Sequence, residues 1–382
     1  MEKRIIFLQN IIAPYRISLF NNLENIVREL SLSEKFCFTV YIMRITEAGR
    51  NWTVNEKDFH FNYYIDNGFY VYKWGYHLHF NIDIIKKILK QKNQEVILGG
   101  SWNNLNVLFI ILLKRLRILK NKLHIWSEAN YLSLGSQKGG YIKTKLRSFV
   151  FNTIDGSFLL PGRMSLLTFE RWGIVPSNVI YFPNLIDQSS FIIGEDEILR
   201  RDKNHYPVLL FVARLEEKYK GILNFFNAVG IERLMRIELR IAGEGSDKGK
   251  IIDFIRSNKL GNNIKLLGNL TTKEVIEEYK RANIFLLPSF SDQSPLTIIE
   301  AITMQLPLLI SECCGNHYEA LMDGENGYIF NPYDKESIIR AFDNIMHRRT
   351  DWYNMGGKSK QLAMKNFSNQ SVLENFIKQI CC

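Results

Sequence analysis

The chain reads as an α/β protein of two doubly wound, parallel-sheet domains facing a cleft. Two observations predict this. Short apolar runs alternate with helix-period segments along most of the length, and 382 residues suffice for about two to three domains. In the first half, residues 4–9 and then 15–30 read as a strand and its helix, and further strand-like runs fall at 36–43, 96–99, 123–126 and 156–160. Residues 52–80 form a less regular aromatic stretch. The second half repeats the pattern more regularly. Strand candidates at 208–213, 237–242, 264–267, 284–288 and 308–311 alternate with helix-like segments at 220–234, 247–259, 272–282 and 294–304. The polar segment 187–204 reads as a linker. This gives a first domain over 1–185 and a second over 186–364, with a terminal helix around 365–382 packing back on the first.

A formal net charge of +10 calls for an anionic partner. Five cysteines, as Cys37, the neighbours Cys313 and Cys314, and Cys381 with Cys382, form neither a disulfide framework nor a metal-binding spacing, which points to a reducing cytoplasm. The apolar run at residues 5–8 is too short for a signal peptide. The most lipid-like stretch, residues 105–113, is less than half of the ~20 residues a spanning helix needs, and Lys114, Arg115, Arg117, Lys120 and Lys122 follow it. Together with Lys138, Lys143, Lys145 and Arg147, these residues admit two readings: a basic face on an anionic membrane surface, or a core helix with a solvated end. The expected location is the cytoplasm, with peripheral attachment to the inner membrane under the first reading.

Several familiar motifs fail. The segment from Gly243 to Lys248 begins like a dinucleotide-binding fingerprint but has lysine in place of the third glycine, and Ile251 stands where a phosphate-binding loop needs a hydroxyl. His77 and His79 lie two residues apart with no acidic or cysteine neighbour in sequence, so no metal ligated by side chains is expected. No RNA- or DNA-binding module is present, which argues against nucleic acid as the partner.

The chemistry concentrates between residues 208 and 311. At 288–302 a strand ends, a polar loop follows, and Ser294 with Pro295 reads as an N-cap and first-turn proline. The N-terminus of such a helix offers backbone N–H groups, here of Leu296 and Thr297, to phosphate oxygens. Glu300 lies among Ile298, Ile299, Ala301 and Ile302, where a buried carboxylate costs several kcal/mol unless a donor pairs with it. Ribose hydroxyls would serve; so would a structural partner. Arg214 follows the strand at 208–213, and Lys220 with Gly221 is expected to open the next helix. Two cations thus project from the carboxyl edge of the sheet, where a diphosphate would sit. Gly243 and Gly245, flanking Glu244, allow close approach of the backbone to a ligand.

Taken in order, Phe211-Val-Ala-Arg-Leu215, Lys220-Gly221, Ala242-Gly-Glu-Gly245 and the 288–311 segment resemble the family 4 glycosyltransferases, retaining enzymes of the GT-B fold. The resemblance covers most of residues 206–345. It implies transfer of a sugar from a nucleoside-diphosphate sugar to a glycan or lipid-linked acceptor, without a cofactor, in assembly of a bacterial surface polysaccharide. It also implies that Asp292 and Glu300 occupy the family's paired carboxylate positions, Asp292 on the donor sugar and Glu300 on the ribose. Gly243, Glu244, Gly245, Leu296 and Thr297 complete the donor side, and Arg214, Lys220 and Asp292 are the catalytic candidates. The first half matches more loosely, through residues 10–16, Pro183-Asn184 and Asp187, and makes Arg16 and Glu128 acceptor-side candidates.

Three departures stand out. Asp292 replaces the usual glutamate, Pro295 replaces a common glycine and offers no N–H, and Ser127-Glu128 stands where many members have a histidine. Two alternatives remain: another GT-B enzyme such as a nucleotide-sugar epimerase, and a non-enzymatic sugar- or anion-binding protein.

Overall fold

The computed structural model describes residues 2–32, 34–47, 54–73, 76–134, 140–202 and 206–381. Lys138, one of the basic residues singled out above, lies outside the described residues.

The N-terminal sheet contains β1 (Lys3–Ile11), β2 (Phe36–Arg44), β3 (Tyr63–Ile65), β6 (Glu95–Leu98), β7 (Leu123–Trp126), β8 (Phe158–Leu160) and β9 (Val179–Tyr181). All neighbours pair in parallel, in the order β3-β2-β1-β6-β7-β8-β9. The C-terminal sheet contains β10 (Val208–Val212), β11 (Glu238–Ala242), β12 (Ile264–Gly268), β13 (Ile284–Leu287), β14 (Leu308–Ser311) and β15 (Gly327–Phe330). It is also parallel, in the order β12-β11-β10-β13-β14-β15. In each sheet the chain winds outward in one direction and then in the other, so a switch point lies between β1 and β6 and another between β10 and β13. Ligands of such sheets bind beyond the strand ends at these points. Near-continuous apolar strands such as Val208–Val212 are what two-sided burial requires.

Four local differences from the sequence expectation have clear causes. The aromatic stretch contains β3 and an antiparallel hairpin of β4 (Phe69–Lys73) and β5 (Tyr76–Phe80). The segment 220–234 is three helices, Glu217–Lys220, Ile222–Val229 and Ile231–Leu234, because Gly221 and Gly230 adopt φ values of 64° and 84°. Lys220 therefore closes a short helix instead of opening the next. The linker carries a helix, Glu195–Asp202, whose buried Arg201 donates to the carbonyl oxygens of Tyr279, Lys280 and Met304. The segment is bolted to the helices Thr272–Arg281 and Leu296–Thr303 of the second domain by the Arg201 guanidinium, which sequence periodicity does not register.

The terminal helix Asn369–Cys381 lies against the helix Pro14–Glu29 and β9, with Phe376 packed on Phe7 and Phe182 at ring distances of 5.9 and 4.6 Å. Among the described residues, no helix is long and apolar enough to cross a membrane.

Candidate active site

The carboxyl edges of the two sheets meet across the cleft. Asn130, buried in the loop after β7, donates from Nδ2 to the carbonyl oxygens of Asp292 and Cys313 at 2.8 and 2.9 Å. The backbone N–H of Leu134 donates to Ser291 Oγ at 3.1 Å, and Asn184 Nδ2 donates to the Ser294 carbonyl at 3.3 Å. Glu319 of the second domain accepts from the Arg163 N–H at 2.7 Å.

On the C-terminal wall, the loops after β10 and β11 are stitched together. Leu215 N–H donates to the Glu244 carbonyl, and Asp247 Oδ2 accepts from the Glu217 N–H at 2.8 Å. Gly243 makes this possible. Its φ is 139°, and a Cβ there would lie 2.0 Å from the Ala213 carbonyl oxygen. A Cβ at Gly245 would lie 2.4 Å from the Leu215 carbonyl oxygen, while the Glu244 side chain turns to Lys248 at 2.7 Å.

Lys220 and Asp292, 72 residues apart, form an ion pair in which each side chain is 14% exposed. The first turn of the helix Ile222–Val229 is already satisfied, because Glu217 accepts from the N–H groups of Leu223 and Asn224 at 2.8 Å each. Arg214 lies on the rim, its side chain 65% exposed and paired with Glu216 at 2.8 Å. The structure thus joins Lys220 to Asp292, while Arg214 stands apart with its own partner.

The helix Leu296–Thr303 begins beside this pair. Its N-cap is Pro295, not Ser294, and no side chain among the described residues caps it, leaving the first-turn N–H groups of Leu296 and Thr297 available to a ligand. The preceding turn is gripped by two buried asparagines. Asn184 holds the Ser294 carbonyl, and Asn316 Nδ2 holds that of Pro295 at 3.0 Å. The Ser294 hydroxyl and the Oδ1 atoms of both asparagines are buried and have no partner among the described residues. Unsatisfied polar atoms of this kind are expensive and concentrate where a ligand completes them.

Glu300 finds a structural partner in Tyr279, whose hydroxyl donates to Oε2 at 2.8 Å. Even so, burial pushes the Glu300 carboxyl up to about 7, with the Tyr279 hydrogen bond opposing. Burial and the adjacent carboxylate together raise the Tyr279 hydroxyl well above its ordinary value. Oε1 has no bonded donor among the described residues.

On the N-terminal wall, Arg16 and Glu128, separate candidates in the sequence, form an ion pair at 2.5 Å. Arg16 also lies over the Trp126 ring at 3.6 Å, and its Nη1 is buried without a partner among the described residues. His77 and His79 have an acidic neighbour after all. Glu47, more than 25 residues away, places Oε1 2.7 Å from His79 Nε2 and Oε2 3.9 Å from His77 Nδ1. Among the described residues, no group of three His, Cys, Asp or Glu side chains could hold a metal. A groove of about 540 Å³ lined by Ile252, Ile255, Arg256 and Leu266 lies on the outer side of β12, away from all of these residues.

Tyr279, Asn130, Asn184 and Asn316 were not readable from sequence as site residues. Each acts on a partner 18 or more residues away, and only the position of Asn184 beside Pro183 hinted at the junction.

Two parallel sheets meeting across a cleft, with an uncapped helix after the switch-point strand, define the GT-B architecture of glycosyltransferases. The crystal structure of Anabaena HepE in complex with UDP has this fold, with a TM-score of 0.74 over 99% of each chain at 12% identity. Residues 195–362 match the family described as glycosyl transferases group 1. Over 177 residues the chain is 28% identical to a glycogen synthase of Mycobacterium tuberculosis, covering 45% of this chain and 42% of that protein. Over 188 residues it is 25% identical to the poly(glycerol-phosphate) alpha-glucosyltransferase of Bacillus subtilis, covering 46% and 27%. The chain spans less than half the length of these two relatives.

Proposed function

We propose that the protein is a retaining glycosyltransferase of the family 4 kind. It moves a sugar from a nucleoside-diphosphate sugar to a glycan or lipid-linked acceptor in the building of a bacterial surface polysaccharide, at the cytoplasmic face of a membrane. The observation that carries this reading is the uncapped N-terminus of the helix Leu296–Thr303 beside the Lys220–Asp292 pair, with Glu300 one turn further on. An anion of diphosphate size has backbone donors, a cation and the positive end of a helix dipole within one loop cluster. The UDP in the HepE complex and the polymer named for the Bacillus relative point the same way.

In this reading the Leu296 and Thr297 N–H groups receive phosphate oxygens, and Lys220 with Arg214 offsets the charge that grows on the departing diphosphate. Glu300 uses its unbonded Oε1 for ribose hydroxyls. Asp292, fixed by Lys220 and through its backbone by Asn130, contacts the donor sugar. Gly243, Glu244 and Gly245 line the donor side, and Arg16 and Glu128 meet the acceptor. Charge neutralisation is assigned to these groups, and no protein-ligated metal is invoked. With Asp292 engaged by Lys220, attack from the leaving-group face needs no glycosyl-enzyme.

The test is a donor screen that reads released nucleoside diphosphate, with and without short glycan acceptors. Acceptor-dependent release from one nucleotide sugar, with the anomeric configuration kept in the product, is expected. Turnover of the donor without acceptor would replace transfer by epimerisation or hydrolysis. Binding without turnover of any donor would reduce the protein to a sugar- or anion-binding role.

A further inference from the structure

The sheet face opposite the helix Pro14–Glu29 is covered by the helices Ile82–Lys90, Leu105–Arg115, Tyr141–Phe151 and Arg163–Arg171. The helix Leu105–Arg115 is apolar on both sides. Val107, Ile110 and Ile111 meet the sheet, while Leu105, Phe109, Leu112 and Leu116 are exposed, at the spacing of a single helical stripe. On the helix Tyr141–Phe151, Tyr141, Ile142 and Phe149 are exposed, Ile142 to 82%. The β4–β5 hairpin adds Phe69 and Leu78, which share a face with Val71 and Phe80. These three elements touch. Phe80 packs on Phe109 at 5.9 Å, and the Arg115 guanidinium lies 5.5 Å over the Phe149 ring.

The same region holds most of the excess charge. Between Glu95 and Asp155 nine lysines and arginines stand against a single acidic residue, Glu128, which is itself paired with Arg16. Not all nine are available to a partner. Lys114 is bound to Asp155 and to the Asn121 carbonyl, and Arg115 donates to Thr153. Arg117, Lys120, Lys122 and Lys145 are exposed.

We propose that this face docks the protein on an anionic lipid surface. The hairpin and the Leu105, Phe109, Leu112, Leu116 stripe enter the headgroup layer, and Arg117, Lys120, Lys122 and Lys145 meet the anionic headgroups. The proposal builds on the lipid-linked acceptor in the functional reading and names the elements that touch the membrane. Charge chooses among occupants: a second copy would bring the same positive face against this one, and a soluble polyanion would have no use for an exposed apolar stripe. Geometry agrees. A helix that follows a parallel strand starts at that strand's carboxyl edge, so Leu105, Tyr141 and Ile142 sit at the edge facing the cleft, where an acceptor held in the membrane would arrive.

The experiment is sedimentation of the full chain with vesicles of phosphatidylcholine alone or mixed with phosphatidylglycerol, at rising salt. Wild type is expected to bind only the anionic vesicles, and more weakly as salt rises. Arg117→Glu/Lys120→Glu/Lys122→Glu and, separately, Phe69→Ser/Leu78→Ser/Leu116→Ser are each expected to weaken binding about ten-fold or more. Both variants should keep the thermal shift given by a nucleoside diphosphate, whose site is in the other domain; this reports that they are folded. Equal binding of wild type to both vesicle types would overturn the proposal. Undiminished binding by the folded apolar variant would overturn it in favour of a polyanion site, and conversion of a dimer to a monomer by that variant would overturn it in favour of self-association. Vesicle binding requires no catalysis, so anionic-vesicle binding without turnover of any donor would sink the transfer reading alone.

Discussion

The two walls of the cleft hold their charges in different ways. The C-terminal wall presents a rim arginine, a lysine–aspartate pair and, among the described residues, a helix end with no side-chain cap beside buried oxygens on Ser294, Asn184 and Asn316 that lack partners. The N-terminal wall presents Arg16 already bonded to Glu128 and stacked on Trp126. A ligand can bind the helix end and the unbonded oxygens of the first wall by adding contacts, with Lys220 and Arg214 sharing or leaving a carboxylate, whereas at the second wall the contact to Arg16 itself must be displaced or shared. This difference implies that donor binding comes largely from preorganised groups, and that acceptor binding is weaker and depends more on side-chain rearrangement.

The largest break in this comparison should come from Lys220. Lys220→Ala removes the cation from the diphosphate and leaves Asp292 unpaired, and kcat is expected to fall roughly 10² to 10³-fold, as for other preorganised electrostatic contacts. Arg214→Ala should fall in the same range or below it, because Arg214 must leave Glu216 to act. Full turnover of either variant with saturating donor would remove that residue from the mechanism.

Glu300→Gln comes next, with lower donor affinity and turnover in a folded protein. It also carries a pH signature. Because burial raises the folded carboxyl to about 7, the neutral form is favoured, and stability present below pH 4.5 is lost as pH rises through about 7. Glutamine cannot titrate. Melting curves of wild type and variant should therefore diverge between pH 4.5 and 7, the wild type losing more; parallel curves would show that Glu300 is not the buried acid described.

On the other wall, Arg16→Gln should raise the acceptor KM and leave the donor KM unchanged, at a stability cost of about 1–3 kcal/mol from a half-buried carboxylate left unpaired. Product-inhibition kinetics with both substrates varied would check the split. An equal rise in both constants would mean that the pair only holds the N-terminal wall in shape.

The two walls also differ in how much of them the sequence made legible. The strands, the cluster around Asp292 and Glu300, and the cations after β10 are local in sequence, so periodicity and short spacing reached them. The partners that fix those groups are not local. Tyr279 reaches Glu300 from the neighbouring helix, Asn130 reaches Asp292 across the cleft, and Arg16 meets Glu128 over 112 residues. The hairpin escaped for another reason. Its residues alternate aromatic, aliphatic and histidine side chains with one face on protein and one exposed, so no clean two-residue polarity pattern marks it.

The smallest effect expected is at the contact between the walls themselves, where Glu319 of the second domain occupies the N-terminus of the helix Arg163–Arg171 in the first. A carboxylate on a helix N-terminus usually stabilises by about 0.3–1 kcal/mol. Here burial opposes that gain and raises the Glu319 carboxyl above its ordinary range, despite the Arg163 N–H bond, and Oε2 is buried without a partner among the described residues. Whatever Glu319 contributes is therefore greatest at low pH and lost as pH rises. Glu319→Gln keeps an oxygen for the Arg163 N–H and should change the melting free energy by less than about 1 kcal/mol, with the comparison moving in the variant's favour toward neutral pH. Gly162→Ala should do more. A Cβ there would lie 2.4 Å from the Glu319 carboxyl carbon, so the carboxylate must leave its seat. If the contact is held by fit and not by charge, the alanine variant opens the cleft, seen as a larger radius of gyration in solution scattering, while the glutamine variant does not. The reverse order, with glutamine opening the cleft and alanine silent, would make the charge on the helix end the element that holds the domains closed.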